Sequence, residues 1–243
     1  SVKDAWQEAA ATEASNPVPG FGTQISSYFS NPTTLGFDAF SPGGHSMKYW
    51  NEATQQYIPQ PTTNVTNINN SKGYMIFIRG DRTSTVSAPT STTTVLRTKG
   101  PLKSKNQSVS FSSVPMNNFV SVGNPYASAI DLRQIGKVNV SDVYYVWDPK
   151  LGGSYGLGAF KKITVTGSSF TIIPGGGSYI GLTDPRVESG AAFYVQSAGT
   201  GNGSVNFTEY AKTTGSREVN RNGNLTDDRK ILKVILETDE GNV

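Results

Sequence analysis

Glycine and proline interrupt this chain at short intervals, and they limit the length of any regular element. The 243 residues include 26 Gly and 13 Pro. Both types favour turns, because glycine adopts positive φ freely and proline fixes φ at about −65°. Helices of ordinary length, about 10 to 14 residues, find little room between these residues. The pattern favours many short strands joined by turns.

Ten runs rich in β-branched and aromatic residues lie between the turn signals. They are Tyr74–Arg79, Thr94–Thr98, Ser108–Phe111, Phe119–Val122, Val143–Trp147, Ile163–Val165, Phe170–Ile173, Ala192–Gln196, Ser204–Phe207 and Lys230–Glu237. The last run places Leu232, Val234 and Leu236 on one face, as expected for a strand with one buried side. We therefore predict an all-β fold, a β-sandwich or jelly-roll-like arrangement of antiparallel sheets.

Only the N-terminus shows a helical pattern. Asp4 and Gln7 have the spacing of a capping box, and the alanines up to Ala14 favour a helix. The sequence therefore predicts one short helix over Asp4–Ala14. The length allows a single β-module over residues 1–243, because all-β domains reach about 250 residues. Two β lobes, 1–118 and 119–243, are the alternative division.

The charge pattern argues against nucleic acid as a partner. The 21 basic and 18 acidic residues give a net charge of +3, and the basic residues are scattered, whereas nucleic-acid-binding surfaces concentrate them. No apolar run reaches the roughly 20 residues of a membrane helix, so we expect no membrane insertion. The chain has no cysteine, which excludes disulfides and thiolate chemistry.

Composition also suggests where the protein works. Only 16% of residues are charged, and Ser, Thr, Asn and Gly are abundant, as in many secreted β-proteins. We therefore expect an extracytoplasmic location, either secreted or on the cell surface. The first residues lack the basic and apolar regions of a signal peptide. We expect both termini to be cuts within a longer polypeptide.

The residue types used in catalysis occur here without an assembled motif. His45, the single histidine, lies in a turn-like loop with no visible group to orient it. Asp131, Asp142, Asp148 and Glu188 could supply the two facing carboxylates of a glycosidase, although Asp at strand ends commonly caps turns. No Asp-x-Asp-x-Asp-Gly calcium loop is present. We predict a non-enzyme without cofactor or metal, and a glycoside hydrolase fragment remains the second alternative.

An aromatic run in the middle of the chain is the strongest candidate for ligand binding. Strand alternation places Tyr145 and Trp147 on the same face, next to Asp148, and the following loop adds Tyr155. If this face is open, the rings form a platform on which a sugar can stack while its hydroxyls meet polar groups. If it is closed, the rings fill a core.

Six strings follow one another along nearly the whole chain: Ala5–Glu8, Pro19–Thr23, Gly73–Arg82, Leu96–Gly100, Val122–Asp131 and Ser189–Gln196. Together they resemble a region near the C-terminus of very large Bacteroidetes cell-surface proteins. The most specific string is Gly-Asn-Pro-Tyr-x-Ser-x-Ile-Asp. One departure is Ala191-Ala192, where the family more often has Gln-Ala.

The resemblance implies a β-module between Ig-like, PKD-like or fibronectin-like repeats and a type IX secretion sorting domain, which this sequence lacks. It defines no biochemical activity beyond a surface or adhesive role. The leading prediction is a non-catalytic structural or adhesive module of a large secreted or cell-surface protein. Its expected partners are surface glycans or neighbouring repeat domains of the same chain. The first alternative is a carbohydrate-binding module that uses the aromatic platform.

Overall fold

The computed structural model describes residues 1–7, 22–39, 44–68, 72–82, 84–85, 96, 100–153, 157–179 and 184–215. Strands in antiparallel sheets make up most of the regular structure in these residues, which confirms the predicted all-β fold. The longest helical segment among them is a π-helical turn, Lys3–Gln7. The rest of the predicted N-terminal helix, residues 8–14, and the predicted strand Lys230–Glu237 lie outside the described residues.

The described strands are short, as the turn residues predict. In chain order they are β1 (Met47–Asn51), β2 (Gln56–Pro59), β3 (Tyr74–Ile76), β4 (Gln107–Phe111), β5 (Phe119–Gly123), β6 (Ala129–Asp131), β7 (Gly136–Val138), β8 (Val140–Asp148), β9 (Ala159–Thr166), β10 (Ser169–Ile173), β11 (Arg186–Val187), β12 (Ala192–Ser197), β13 (Gly203–Phe207) and β14 (Lys212–Thr213). Short 3-10 turns lie at Thr33–Leu35, Leu132–Gln134, Gly177–Tyr179 and Glu209–Ala211.

These strands form four sheets. The N-terminal sheet has the order β2-β1-β3, and the central sheet has the order β10-β9-β8-β12-β5. Two further three-stranded sheets have the orders β4-β13-β7 and β11-β6-β14. Every strand pair in the four sheets is antiparallel. None of the helical segments described has the length and apolar character needed to span a membrane.

The larger hydrophobic core lies between the central sheet and the β4-β13-β7 sheet. Alternate residues of β8 point into it, for example Tyr144 and Val146. The rings of Phe193 in β12 and Phe207 in β13 lie 6.5 Å apart across the core, and both side chains are buried. Each such side chain contributes roughly 1.5 to 3 kcal/mol through burial. This two-layer packing leaves the other face of the central sheet outside the core.

A smaller core belongs to the N-terminal sheet. Its buried members are Val2, Ile25, Phe37 and Met47. The larger core already includes Val109, Phe111 and Val114, which precede the predicted lobe boundary between residues 118 and 119. The boundary between the parts of the described chain that form the two cores therefore lies before β4, earlier than the predicted boundary.

Candidate functional site

Tyr145 and Trp147 of β8 lie on the same face, as strand alternation predicts, and this is the outer face of the central sheet. Their neighbours Tyr144 and Val146 point into the larger core and are buried, whereas Tyr145 and Trp147 are partly buried. The period of two in an extended strand accounts for this separation. The two rings therefore belong to a surface that the larger core does not use.

Seven rings on and above this outer face form one connected group, here called the aromatic cluster. Adjacent rings meet at centroid distances between 5.0 and 6.3 Å. The central sheet supplies five of them and the N-terminal sheet supplies two. The members are Trp50, Tyr57, Phe119, Tyr145, Trp147, Phe160 and Tyr194.

The N-terminal sheet covers the half of this face formed by β12 and β5. Trp50 and Tyr57 lie 5.2 and 6.3 Å from Tyr194, and the Tyr194 hydroxyl donates to the Tyr57 hydroxyl at 2.6 Å. Trp50 Nε1 and Gln55 Nε2 both donate to the Phe119 carbonyl at 3.0 Å. The Phe119 amide donates to Gln55 Oε1 at 2.6 Å. These contacts join the N-terminal sheet to the central sheet.

Burial raises the pKa of Tyr57 and Tyr194 above that of a free tyrosine. For Tyr194 the hydrogen bond to Tyr57 raises the pKa further. Both hydroxyls therefore stay protonated near neutral pH, and one donates to the other. A neutral hydrogen bond at 2.6 Å in a partly desolvated place stabilises the joint between the two sheets.

The half of the outer face formed by β8, β9 and β10 is more open. Phe160 is 37% exposed and Ile173 is 64% exposed. Lys162 and Thr171 are also exposed. The strand register aligns Ile173, Lys162 and Tyr145 in one row across β10, β9 and β8. This region, with Trp147, Phe160, Lys162, Thr171 and Ile173, is called the open half-face.

The rings of the open half-face do not form a flat platform. Trp147 and Phe160 are paired across β8 and β9 with centroids 5.0 Å apart and planes at 78°. Phe160 meets Tyr194 at 76°. Edge-to-face contacts of this kind stabilise aromatic packing. Because the planes are nearly perpendicular, a ligand can stack on one ring of the pair but not on both.

Asp148 does not belong to this surface, because it points to the opposite face from Tyr145 and Trp147. Its side chain is fully buried and accepts hydrogen bonds from the Lys150 amide and from the Ser178 amide and hydroxyl at 2.8 to 3.0 Å. The prediction that Asp148 lies beside the rings is wrong in this respect. Tyr155, the fourth predicted residue, lies outside the described residues.

A buried lysine, Lys161, lies next to Asp148. Lys161 has no exposed surface, and its ammonium donates to the carbonyls of Pro174 and Gly176 at 2.9 and 2.6 Å. Lys161 Nζ lies 3.7 Å from Asp148 Oδ2. Lys161 lies two and four residues before Ile163 and Val165, so strand alternation directs its side chain to the same buried face. This spacing is the feature of the sequence that indicates a buried lysine. The pair anchors the loop after β10 to the end of the central sheet.

The other carboxylates considered as glycosidase candidates also lie in internal positions. Asp131 caps a 3-10 turn by accepting from the Arg133 amide and forms a salt bridge with its guanidinium. Asp142 forms a salt bridge with Lys137, and Glu188 is buried. In the described part of the chain, no three His, Cys, Asp or Glu side chains are grouped as metal ligands.

His45 has a partner that the sequence did not reveal. Its Nδ1 lies 2.9 Å from the Ser27 hydroxyl, and its ring packs against Phe29 at 4.8 Å. Burial, with a smaller effect from Lys48, lowers the pKa of His45. The neutral ring can accept a hydrogen bond from the Ser27 hydroxyl. Among the residues that the structure describes, no carboxylate forms a hydrogen bond with His45. The arrangement therefore lacks the third member of a hydrolytic triad.

Comparisons with protein-family models, curated proteins and solved structures gave no match.

Proposed function

We propose that this chain is a non-catalytic structural and adhesive module of a large secreted or cell-surface protein. The observation that carries the proposal is the joint within the aromatic cluster. Rings from the N-terminal sheet pack on the central sheet, and hydrogen bonds with Trp50 and Gln55 hold the Phe119 backbone in place. A unit that spaces or displays other domains benefits from such a fixed relation between its parts.

The placement of the ionisable groups supports a role without catalysis. Asp131, Asp148 and Asp184 each accept hydrogen bonds within the fold. An acid or base in catalysis must reach a substrate. Salt bridges and turn caps are a sufficient explanation for these carboxylates. The resemblance to large surface proteins supports the same role.

Carbohydrate recognition is the second candidate function, and the open half-face favours it. Phe160 is 37% exposed and Trp147 is partly buried. Among the described residues, the hydroxyl of Tyr145 makes a single long contact of 3.5 Å, with Gln196. Aromatic rings beside polar groups are a common basis for binding sugars. An adhesive module with this property would bind glycans through the half of the sheet that the N-terminal sheet leaves open.

A double-mutant cycle on the two hydroxyls tests the joint. We expect Tyr57→Phe and Tyr194→Phe each to lower the free energy of unfolding by about 1 kcal/mol, because each removes the same buried hydrogen bond. The loss in the free energy of unfolding of the double variant should then be smaller than the sum of the two single losses. The difference, which is the coupling energy between the two hydroxyls, should be about 1 kcal/mol. Chemical denaturation of the four proteins gives these values.

Tyr49→Phe in β1 is the matched control, since Tyr49 makes no ring contact within the aromatic cluster. It should change the free energy of unfolding by less than about 0.5 kcal/mol. Additive effects of Tyr57→Phe and Tyr194→Phe would show that the two hydroxyls do not act together. This result would contradict the claim that their hydrogen bond stabilises the contact between the two sheets.

A further inference from the structure

The open half-face carries charge of one sign only. The outward residues of β8, β9 and β10 alternate with the core residues, and Lys162 is the only charged side chain among them. The outward set is Ser141, Val143, Tyr145, Trp147, Phe160, Lys162, Thr164, Thr166, Ser169, Thr171 and Ile173. A ligand that lies across this surface therefore meets a single positive charge.

Lys162 is positioned to meet a ligand that contacts the rings. It lies two residues from Phe160 on the same face of β9, and it is the cross-strand partner of Tyr145. Residues two apart on a strand point in the same direction, and cross-strand partners have Cβ atoms about 5 Å apart. Lys162 is exposed and forms no salt bridge with any described carboxylate. The neighbouring Lys161, by contrast, is buried and hydrogen-bonded.

We infer that the open half-face binds an acidic glycan, with one sugar ring stacked on Trp147 or Phe160 and its carboxylate paired with Lys162. This inference rests on the adhesive part of the proposed function and names the ligand class. A pyranose presents a C–H face that suits an aromatic ring, and a uronic acid adds a carboxylate at the ring edge. Nearby hydroxyls of Tyr145 and Thr171 can bond to the sugar hydroxyls.

A single-stranded nucleic acid also combines flat rings with negative charge, but the surface suits it less well. Sequence-independent binding of a strand uses a groove with several cations that follow the phosphates. The outward residues of β8, β9 and β10 provide one cation, which matches one carboxylate. The glycan is therefore the better fit.

The test compares a tetramer of galacturonic acid with its fully methyl-esterified form, which has the same rings without the charges. Isothermal titration calorimetry on the full chain measures both at low salt. We expect the acid to bind about fivefold more tightly than the ester, because an exposed ion pair contributes up to about 1 kcal/mol. Lys162→Gln should remove that difference and leave binding of the ester unchanged. Trp147→Ala should weaken binding of both by about tenfold or more.

Lys103→Gln is the matched control, since Lys103 is exposed and lies outside the central sheet. It should leave both affinities unchanged. Equal binding of acid and ester, or an effect of Lys103→Gln as large as that of Lys162→Gln, would overturn the acidic specificity while leaving the adhesive role intact. Failure of both sugars to bind would overturn the inference and leave the adhesive role to be carried by another partner, and tighter binding of a single-stranded oligonucleotide would also overturn the inference. The Tyr57 and Tyr194 cycle tests the structural role independently.

Discussion

Replacing Asn124 with alanine is expected to lower the free energy of unfolding by about 3 kcal/mol. The Asn124 side chain is buried, and its Nδ2 donates to the carbonyls of Ser128, Val187 and Glu188 at 2.8 to 3.2 Å. Its Oδ1 accepts from the Tyr126 amide at 3.0 Å. Alanine leaves these backbone groups without their partner, and each buried polar group left unpaired costs about 1 to 3 kcal/mol.

Chemical denaturation measures this loss, and Asn106→Ala is the control because Asn106 is exposed in a loop. The control should change the free energy of unfolding by less than about 0.5 kcal/mol. A change for Asn124→Ala as small as that of the control would show that Asn124 does not connect β5, β6 and β11. The Asn124→Ala protein should still bind any ligand of the open half-face once folded, since Asn124 lies outside that surface.

Replacing Lys161 with methionine is expected to cost about 3 kcal/mol or more. Removing one partner of a buried ion pair leaves the other charge uncompensated, and such changes cost about 3 to 5 kcal/mol. Here Asp148 keeps its bonds from Ser178 and Lys150, so we expect the lower end of this range. The carbonyls of Pro174 and Gly176 also lose their donor.

The next residue along the strand is a matched control. Lys162→Met changes the same residue type at an exposed position of β9 and should alter the free energy of unfolding by less than about 0.5 kcal/mol. Adding Asp148→Asn to Lys161→Met should recover part of the loss, because the buried charge is then removed as well. Equal effects of the two lysine variants would contradict a stabilising role for the pair.

The sequence was sufficient to predict the fold class and the faces of β8. Turn residues at short intervals and strand alternation are local properties, so they predicted the all-β fold and the common orientation of Tyr145 and Trp147. Alternation also determines that Asp148 points inward with Tyr144 and Val146. The prediction that Asp148 lies beside the rings relied on its closeness in sequence to Trp147 and ignored the face of the strand to which its side chain points.

Features that depend on distant partners could not be predicted in this way. The Trp50 indole donates to a carbonyl 69 residues away, and no local pattern in β1 indicates which sheet it covers. The predicted strand Tyr74–Arg79 is apolar over Tyr74–Ile78, which is typical of a central strand. The structure instead places β3 at an edge of the N-terminal sheet, and Phe77 and Ile78 are 42% and 43% exposed. Apolar composition indicates a tendency to be buried, but strand order follows from the pairing of the whole sheet.

The turn at Asn124 has one hydrogen bond that the local sequence predicts and others to distant residues that it does not. An Asn before Pro predicts a local bond between the side chain and nearby backbone, and the bond from the Tyr126 amide agrees with this expectation. Losing one such local bond costs about 1 kcal/mol. The additional bonds to Val187 and Glu188 come from residues more than 60 positions away, and they raise the expected cost.

We expect the aromatic cluster to join the N-terminal sheet and the central sheet into one cooperative unit. Differential scanning calorimetry of the wild-type chain and of Trp50→Ala tests it most directly. The wild type should unfold in one transition whose calorimetric and van't Hoff enthalpies agree. Trp50→Ala should separate the smaller N-terminal core, which then melts first, from the larger core, whose melting temperature stays within a few degrees of the wild type. Two independent transitions in the wild type, or a single unchanged transition in Trp50→Ala, would contradict the claim.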